Sequence, residues 1–418
     1  MILTFQADQL KPIATLHRRL KLLTKSVEYL QHVRLTLLPG QTEATIESTD
    51  LDIHITSRIP VGAATPGTFT LPRKEFFEVI RTADKGTEIR LESSGQQTNP
   101  AAPTTIAIAS RSKKLATSLT LLGLDPTEFP ISLHTAADWV GSRHILPSDT
   151  IRAIHTILPS ASADETRYVL NGVFCDPAGA VIATDGRRLA HSAARVTTPP
   201  IILPSKLVSL FADKSIDSAA VANVHEDKTT IALAFGKTTI CSKLITGNFP
   251  NYRQVMPKES AFSATITPTS SDSIIPWLRT AGKRAMKNNS VRIEIKDSTL
   301  RLSTKEPDHS ESAVSIPVHI SRRSELPNDF AISFNPTFLA DGLALGLTTL
   351  DLIDGMSPGV LTNGTTRYVL MPMRVLHEVQ EDQPEEEQEE EEPEQEQEQP
   401  APADPNTIEV ESTSTIAA

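Results

Sequence analysis

The chain has 418 residues, a formal net charge of −11, 39% apolar residues and 5% aromatics, which is room for two to four domains with aliphatic cores. No apolar run approaches the ~18 to 20 residues of a membrane span, and Met1-Ile2-Leu3-Thr4-Phe5 has no basic region ahead of an apolar stretch, so a cytoplasmic location is expected. Cys175 and Cys241 are too few for a disulfide framework and read as free thiols in a reducing compartment.

Leu10, Ile13, Leu16, Leu20 and Leu23 recur at helical spacing and predict a first helix, with Pro12 near its start. The alternation of Val33-Arg34-Leu35-Thr36-Leu37 predicts a strand. Phe69-Thr70-Leu71 predicts another, which runs through Pro72 into a helix, and Phe129-Pro130 closes this strand-rich stretch. Ile151, Ile154 and Leu158 then mark a helix. Ile201-Ile202-Leu203 meets Pro204 and a further helix, and Thr229 to Leu233 alternates as a strand before Phe249-Pro250. Ile274, Leu278 and Ala281 repeat the first-helix pattern, with Pro276 near its start, and Val291 to Ile295 repeats the strand. Ile332-Ser333-Phe334 leads through Asn335-Pro336 into the last helix. Proline suits a first helical turn, where its missing N–H has no intrahelical partner to lose, and Asn335 is a good N-cap. Residues 376 to 418 hold sixteen Asp and Glu and no Lys or Arg. Such a stretch cannot bury enough apolar surface to offset its ordering entropy, and a disordered tail is expected. Without it forty basic and thirty-five acidic residues remain, a body of +5 that can approach DNA.

The spacings repeat. Pro72, Pro204 and Pro336 are separated twice by 132 residues, Pro12 and Pro276 by twice that, and the two Phe-Pro pairs by 120. Three concordant spacings indicate one α+β unit written three times, two helices and many antiparallel strands in each. The expected domains are 1–131, 132–258 and 259–375, followed by the tail, 376–418.

Catalytic signals are weak. The sequence has no GxxxxGK[ST], HExxH, CxxC or GxSxG, and the histidines show no ligand spacing. No cofactor or metal is implied and no catalytic residue is assigned. Asp50, Asp52 and Asp185 could belong to a metal-dependent enzyme, but such chemistry needs carboxylates converging from several elements, and a turn-capping or solvated role fits them better. The basic residues carry more information. His17, Arg18, Arg19, Lys21 and Lys25 lie on or beyond the first helix, Arg73, Lys74 and Arg81 on the second, and Arg279, Lys283, Arg284 and Lys287 on the first helix of the third unit. Faces of this kind hold phosphates without reading bases, and aromatics for base stacking are scarce there.

Three motifs point to a family. Glu165-Thr166-Arg167-Tyr168-Val169-Leu170-Asn171-Gly172-Val173 is followed by Ala183-Thr184-Asp185-Gly186-Arg187-Arg188-Leu189-Ala190. Then come Ser242-Lys243-Leu244-Ile245-Thr246-Gly247-Asn248-Phe249-Pro250-Asn251-Tyr252-Arg253 and the closing Tyr368-Val369-Leu370-Met371-Pro372-Met373-Arg374-Val375. Over residues 1 to 375 the chain resembles the bacterial DNA polymerase III beta subunit, the replicative sliding clamp.

The resemblance implies three tandem DNA-clamp domains per chain and a head-to-tail homodimeric ring that surrounds double-stranded DNA without tight contact or sequence preference. It implies a non-catalytic processivity factor whose partners are the polymerase III catalytic subunit, the clamp loader and other proteins bearing a short apolar clamp motif. The implied partner-peptide pocket comprises Leu170, Thr184, Gly186, Arg188, Leu189, Pro250, Val255, Asn335, Phe338, Val369, Leu370, Met371, Pro372, Met373 and Arg374. The implied DNA contacts are Arg18, Arg19, Lys21, Lys25, Arg73, Arg167, Arg279, Lys283, Arg284 and Lys287. Departures from the family pattern include Gln254, Arg187 and Asn288. Gly282 and Lys283 stand where the dimer contact would be bulky and apolar, which keeps open a monomeric clamp paralogue that binds partners without encircling DNA. The tail is expected to compete weakly with partners or to repel polyanions.

Overall fold

Among the described residues a pattern of eight strands and two helices recurs three times. The computed structural model describes residues 1–20, 27–94, 104–111, 116–130, 141–210, 219–284, 290–305, 311–323 and 330–373. The acidic tail, Arg374, and Lys21, Lys25, Lys287 and Asn288 of the sequence reading lie outside them.

The first block runs β1 (Ile2–Gln6), α1 (Ala7–Arg19), β2 (His32–Leu37), β3 (Glu43–Thr49), β4 (Ile53–Pro60) and β5 (Gly67–Pro72). It continues through α2 (Arg73–Thr82), β6 (Glu88–Ser94), β7 (Thr104–Arg111) and β8 (Ala116–Gly123). The second holds β9 (Gly141–Leu146), α3 (Ser148–Ile157), β10 (Gly172–Asp176), β11 (Ala180–Thr184) and β12 (Arg188–Ala193). β13 (Ile201–Pro204), α4 (Ser205–Leu210), β14 (Ala220–His225), β15 (Thr230–Phe235) and β16 (Thr238–Lys243) complete it. The third holds β17 (Phe262–Ile266), α5 (Pro268–Arg284), β18 (Val291–Lys296), β19 (Thr299–Lys305) and β20 (Glu311–Arg323). It ends with β21 (Ala331–Phe334), α6 (Pro336–Ala344), β22 (Thr349–Leu352), β23 (Gly359–Thr362) and β24 (Thr366–Leu370).

In every block the first strand joins the sixth, seventh and eighth, and the fifth joins the second, third and fourth, all antiparallel. The two helices of a block pack on each other. The helices are amphipathic: α1 buries Ala7, Leu10, Ala14 and His17 on one face, and α3 buries Thr150, Ile151, Ile154 and Ile157. The α+β reading and the internal repeat therefore hold. Two details differ from the sequence expectation. Pro72 and Pro204 end strands directly before their helices, whereas Pro336 opens its helix. Pro12 and Pro276 lie inside α1 and α5, in the second and third turns, rather than near the starts, so each removes an interior helical hydrogen bond that packing must offset.

The blocks join by strand pairing. β4 pairs with β16, five residues on each side from Ile53↔Ser242 to Ser57↔Thr238. β12 pairs with β24, five residues from Arg188↔Leu370 to Ser192↔Thr366. Each seam thus joins the fourth strand of one block to the eighth of the next. At the first seam Asp50 and Asp52 are in use. Asp50 accepts from the amides of Asp52 and Ile53 at 3.1 and 2.7 Å and ion-pairs with Lys206, while Asp52 pairs with Lys243 at 2.8 Å.

The same seam contains a buried histidine. His17 is fully buried, with Nδ1 2.6 Å from Ser48 Oγ and Nε2 3.0 Å from Ser57 Oγ, and Ser57 meets Thr238 of the second block at 2.9 Å. Burial, with Arg73 and His54 adding repulsion against the weaker pull of Glu47, lowers its pKa to about 3. Its folded pKa lies below the unfolded value of ~6.5. Above that value both states are neutral and His17 adds no pH dependence. Between pH 6.5 and about 3 only the unfolded chain takes up the proton, so stability falls by ~1.4 kcal/mol per pH unit. Thermal melts from pH 7 to pH 4 should show His17→Asn, which retains hydrogen-bonding capacity, losing less stability than the parent. Parallel pH curves for the two would show that His17 is not held neutral.

Candidate functional site

The turn from β11 to β12 is set by Thr184-Asp185-Gly186. Gly186 sits at φ +85, where a side chain is strained, and its amide donates to Thr184 Oγ1 at 3.1 Å. Asp185 Oδ1 accepts from the amides of Arg187 and Arg188 at 2.9 and 3.0 Å. This is the local side-chain turn that Asp favours, and it aims Arg188 at the second seam. The Arg188 guanidinium reaches Asp185 at 3.0 Å, Asp341 at 2.6 Å, the Tyr368 hydroxyl at 3.1 Å and the Pro159 carbonyl at 2.7 Å. It also lies 4.3 Å from the Phe338 ring centroid.

On the opposite face of this sheet Ala180, Ile182, Leu189, Val360 and Val369 form an apolar patch with Tyr252. Strand alternation places Val369 there, while Tyr368 and Leu370 enter the main core. The segment Phe249 to Val255, a loop with one short 3-10 turn, covers part of the patch. Phe249 stacks on Phe174 at 4.9 Å. The Tyr252 hydroxyl donates to Asp176 at 2.7 Å, and Arg253 reaches the same carboxylate at 2.5 Å. Burial, then the Asp176 hydrogen bond, push the Tyr252 hydroxyl up to about 12. Burial works upward on Asp176, but Tyr252, the Ala178 amide and Arg253 together hold its carboxyl below the usual range.

Between loop and sheet lies a cavity of about 160 Å³, lined by Leu170, Thr184, Gly186, Arg188, Leu189, Phe249, Pro250, Asn251, Tyr252, Val255, Val369 and Met371. Cavities of ~150 Å³ accommodate benzene, so this one takes a single leucine or phenylalanine side chain. Val255 and Met371 remain 42% and 41% exposed, and methionine adapts readily to an incoming apolar group.

Of the pocket residues expected from sequence, Leu170, Thr184, Gly186, Arg188, Leu189, Pro250, Val255, Val369 and Met371 converge here. Asn335 instead caps α6, accepting from the amides of Thr337 and Phe338. Phe338 stands behind Arg188, and Leu370 is buried in the core. Pro372 and Met373 are half-buried off the cavity wall, with the Met373 amide held by the Ser333 carbonyl at 2.7 Å. Phe249, Asn251 and Tyr252 line the cavity without having been assigned to it, although they flank Pro250 in the motif that suggested it.

Residues 145–251 match the family model for the DNA polymerase III beta subunit, central domain. The beta sliding clamp of Caulobacter vibrioides is 26% identical over 354 residues, covering 78% of this chain and 88% of the relative. That of Chlamydia trachomatis is 27% identical over 367 residues, covering 82% of each. The second block thus matches the central domain of the DNA polymerase III beta subunit, and the likeness to beta sliding clamps runs through most of the chain. Solved sliding clamps share the fold. The Caulobacter crescentus beta sliding clamp superposes with a TM-score of 0.75 at 23% identity, covering 90% of this chain and 99% of that one. The Bartonella birtlesii sliding clamp, solved bound to griselimycin, gives 0.74 at 24% identity, covering 90% and 100%.

The basic residues expected to face DNA have mixed fates. Arg18 on α1 and Arg279 on α5 are exposed, and Arg19 is half-buried. Arg167 is exposed but leans on Asp164 at 3.8 Å and the Asp185 carbonyl at 3.3 Å. Arg73 is half-buried beside Asp50, and one of its terminal nitrogens has no hydrogen-bond partner among the described residues. Lys283 and Arg284 close α5, their side chains outside the description. Among the described residues no helix is long and apolar enough to cross a membrane.

Proposed function

We propose that this chain is a non-catalytic sliding clamp: two copies close head to tail into a ring that encircles duplex DNA and tethers the replicative polymerase through the cavity beside Arg188. The supporting observation is the seam rule. The fourth strand of the first block meets the eighth of the second, and the fourth of the second meets the eighth of the third. By that rule the fourth strand of the third block, β20, calls for the eighth of a first block, β8. Both offer edges for it. β8 pairs only with β7, and residues Glu311 to Pro317 of β20 pair only with β19 among the described residues. A second copy satisfies both edges at once and closes the ring by two-fold symmetry.

The exposed Arg18 and Arg279 then supply phosphate contacts that are weak and base-independent, which permits sliding. The polymerase III catalytic subunit, the clamp loader and other clamp-motif proteins are the partners this reading assigns to the cavity, and a cytoplasmic location goes with it. The test is retention of the chain, once loaded, on nicked circular DNA and its release when the circle is linearised. Equal retention on both would replace the ring by ordinary adhesion. A parent chain that sediments only as a monomer would favour a clamp-like partner-binding protein that does not encircle DNA.

A further inference from the structure

A second, polar groove lies on the same sheet face as the apolar cavity, beyond the buried Val360. Strand register places the two on one face. Leu189 faces Val369, Val369 faces Val360, Val360 faces Asp351, and Asp351 faces Ser263. Directly opposed residues project from the same face. Leu189 and Val369 line the apolar cavity, while Val360, Asp351 and Ser263 line a groove of about 650 Å³ whose rim includes Lys258. Strands lie ~4.8 Å apart, so Asp351 is about 10 Å and Ser263 about 14 Å from Val369 across the sheet. Three or four extended residues span that distance.

The chemistry changes along the row. Arg367, two residues from Val369 on the same face, already donates to the Pro257 carbonyl at 2.5 Å. The half-buried Asp351 side chain, by contrast, has no hydrogen bond or ion pair among the described residues. A carboxylate left without a partner on a sheet face, beside the Ser263 hydroxyl, suits an extended peptide carrying a cation.

We propose that this groove takes the residues flanking the apolar anchor of a partner peptide, with a lysine or arginine of that flank placed over Asp351. The inference rests on the cavity being the partner-peptide pocket, and the experiment separates the two. Fluorescence anisotropy on the full chain compares a five-residue peptide carrying Leu and Phe anchors with versions extended by four residues at either end, bearing Lys or Glu. One Lys-extended peptide should bind about two- to fivefold tighter than the short one at low salt, a range set by one partly exposed charge pair. Asp351→Asn and, independently, Ser263→Trp, which fills the groove floor, should erase that gain and leave the short peptide unchanged. The proposal is overturned if no extension improves binding, if the Glu version gains as much as the Lys version, or if the gain survives both substitutions. Failure of every peptide to bind would overturn the pocket reading itself, and the groove with it.

Discussion

A chain carrying Leu119→Asp and Leu122→Asp is expected to sediment as a monomer at micromolar concentration, and the parent as a dimer. Both leucines lie on β8 and are 39% and 62% exposed. Apolar side chains on an unpaired edge strand invite another strand, and charges placed there are the usual means of preventing it. A two-fold ring has two identical seams, so the double substitution removes four leucines from the contact. At roughly 1 kcal/mol for each partly buried side chain, the dimer weakens by about 4 kcal/mol, on the order of a thousandfold in Kd. Retention on nicked circular DNA should disappear with the dimer. Peptide binding should stay within about twofold of the parent, because the cavity is lined entirely from the second and third blocks. A variant that remains dimeric would remove β8 from the seam. A variant that is monomeric yet still retained on circles would remove the ring.

The large features of this fold are legible in the sequence because they rest on short-range rules. Proline before a helix, apolar residues at helical spacing and alternation in strands depend on near neighbours, and they were enough to reveal the threefold repeat. The seams are different. Nothing local in Ile53 to Ser57 says that Ile240 and Thr239 lie beside them, because pairing partners far apart in sequence are chosen by register and shared core. Arg73 shows the same limit. Read along the chain it is a basic residue on a helix face, but in the fold it is half-buried and feels the charge of the buried Asp50. Asp50 and Asp52 were readable as turn residues, not as partners of Lys206 and Lys243 of the second block.

The cavity divides in the same way. Its floor carries the motifs, so Leu170, at the end of a short 3-10 helix, and Thr184, Leu189 and Val369, on strands, could be assigned from sequence. The loop wall could be assigned only in part. Phe249 and Tyr252 line the cavity because Phe174 and Asp176, on another strand, hold them there. Conversely, Asn335 and Leu370 sit inside motifs but serve a helix cap and the core. A motif reports that a neighbourhood matters, whereas alternation and capping decide which of its side chains reach the cavity.

Arg188→Ala should damage the second seam and the cavity together. Its side chain is 11% exposed, against 18% for Asp185 and 29% for Asp341, so the ion pairs are partly screened and their removal costs less than the ~3 to 5 kcal/mol typical of a fully buried pair. The loss is nevertheless more than one interaction. Asp341 and the Tyr368 hydroxyl lose a shared donor, the Pro159 carbonyl loses its contact, and the Phe338 ring loses the cation above it. Burial, the largest influence, already holds the Tyr368 hydroxyl far above the ordinary phenol range. It therefore stays a neutral group needing a partner rather than an anion that could repel Asp341. A destabilisation of roughly 2 kcal/mol follows, confined to the β12–β24 seam and readable as faster amide exchange in those strands. Affinity for an apolar partner peptide should fall by about tenfold or more, because Arg188 is itself a cavity wall and its guanidinium braces Asp185 in the turn that places Thr184 and Gly186. Arg188→Lys should recover part of the stability and little of the affinity. One ammonium can meet Asp185 or Asp341, but it cannot form the planar fork that meets both, together with Tyr368 and Pro159, while stacking on Phe338. Unchanged exchange and unchanged peptide affinity in the alanine variant would mean that the cavity is held by its loop wall alone, and the Asp176–Tyr252 anchor would then become the place to break it.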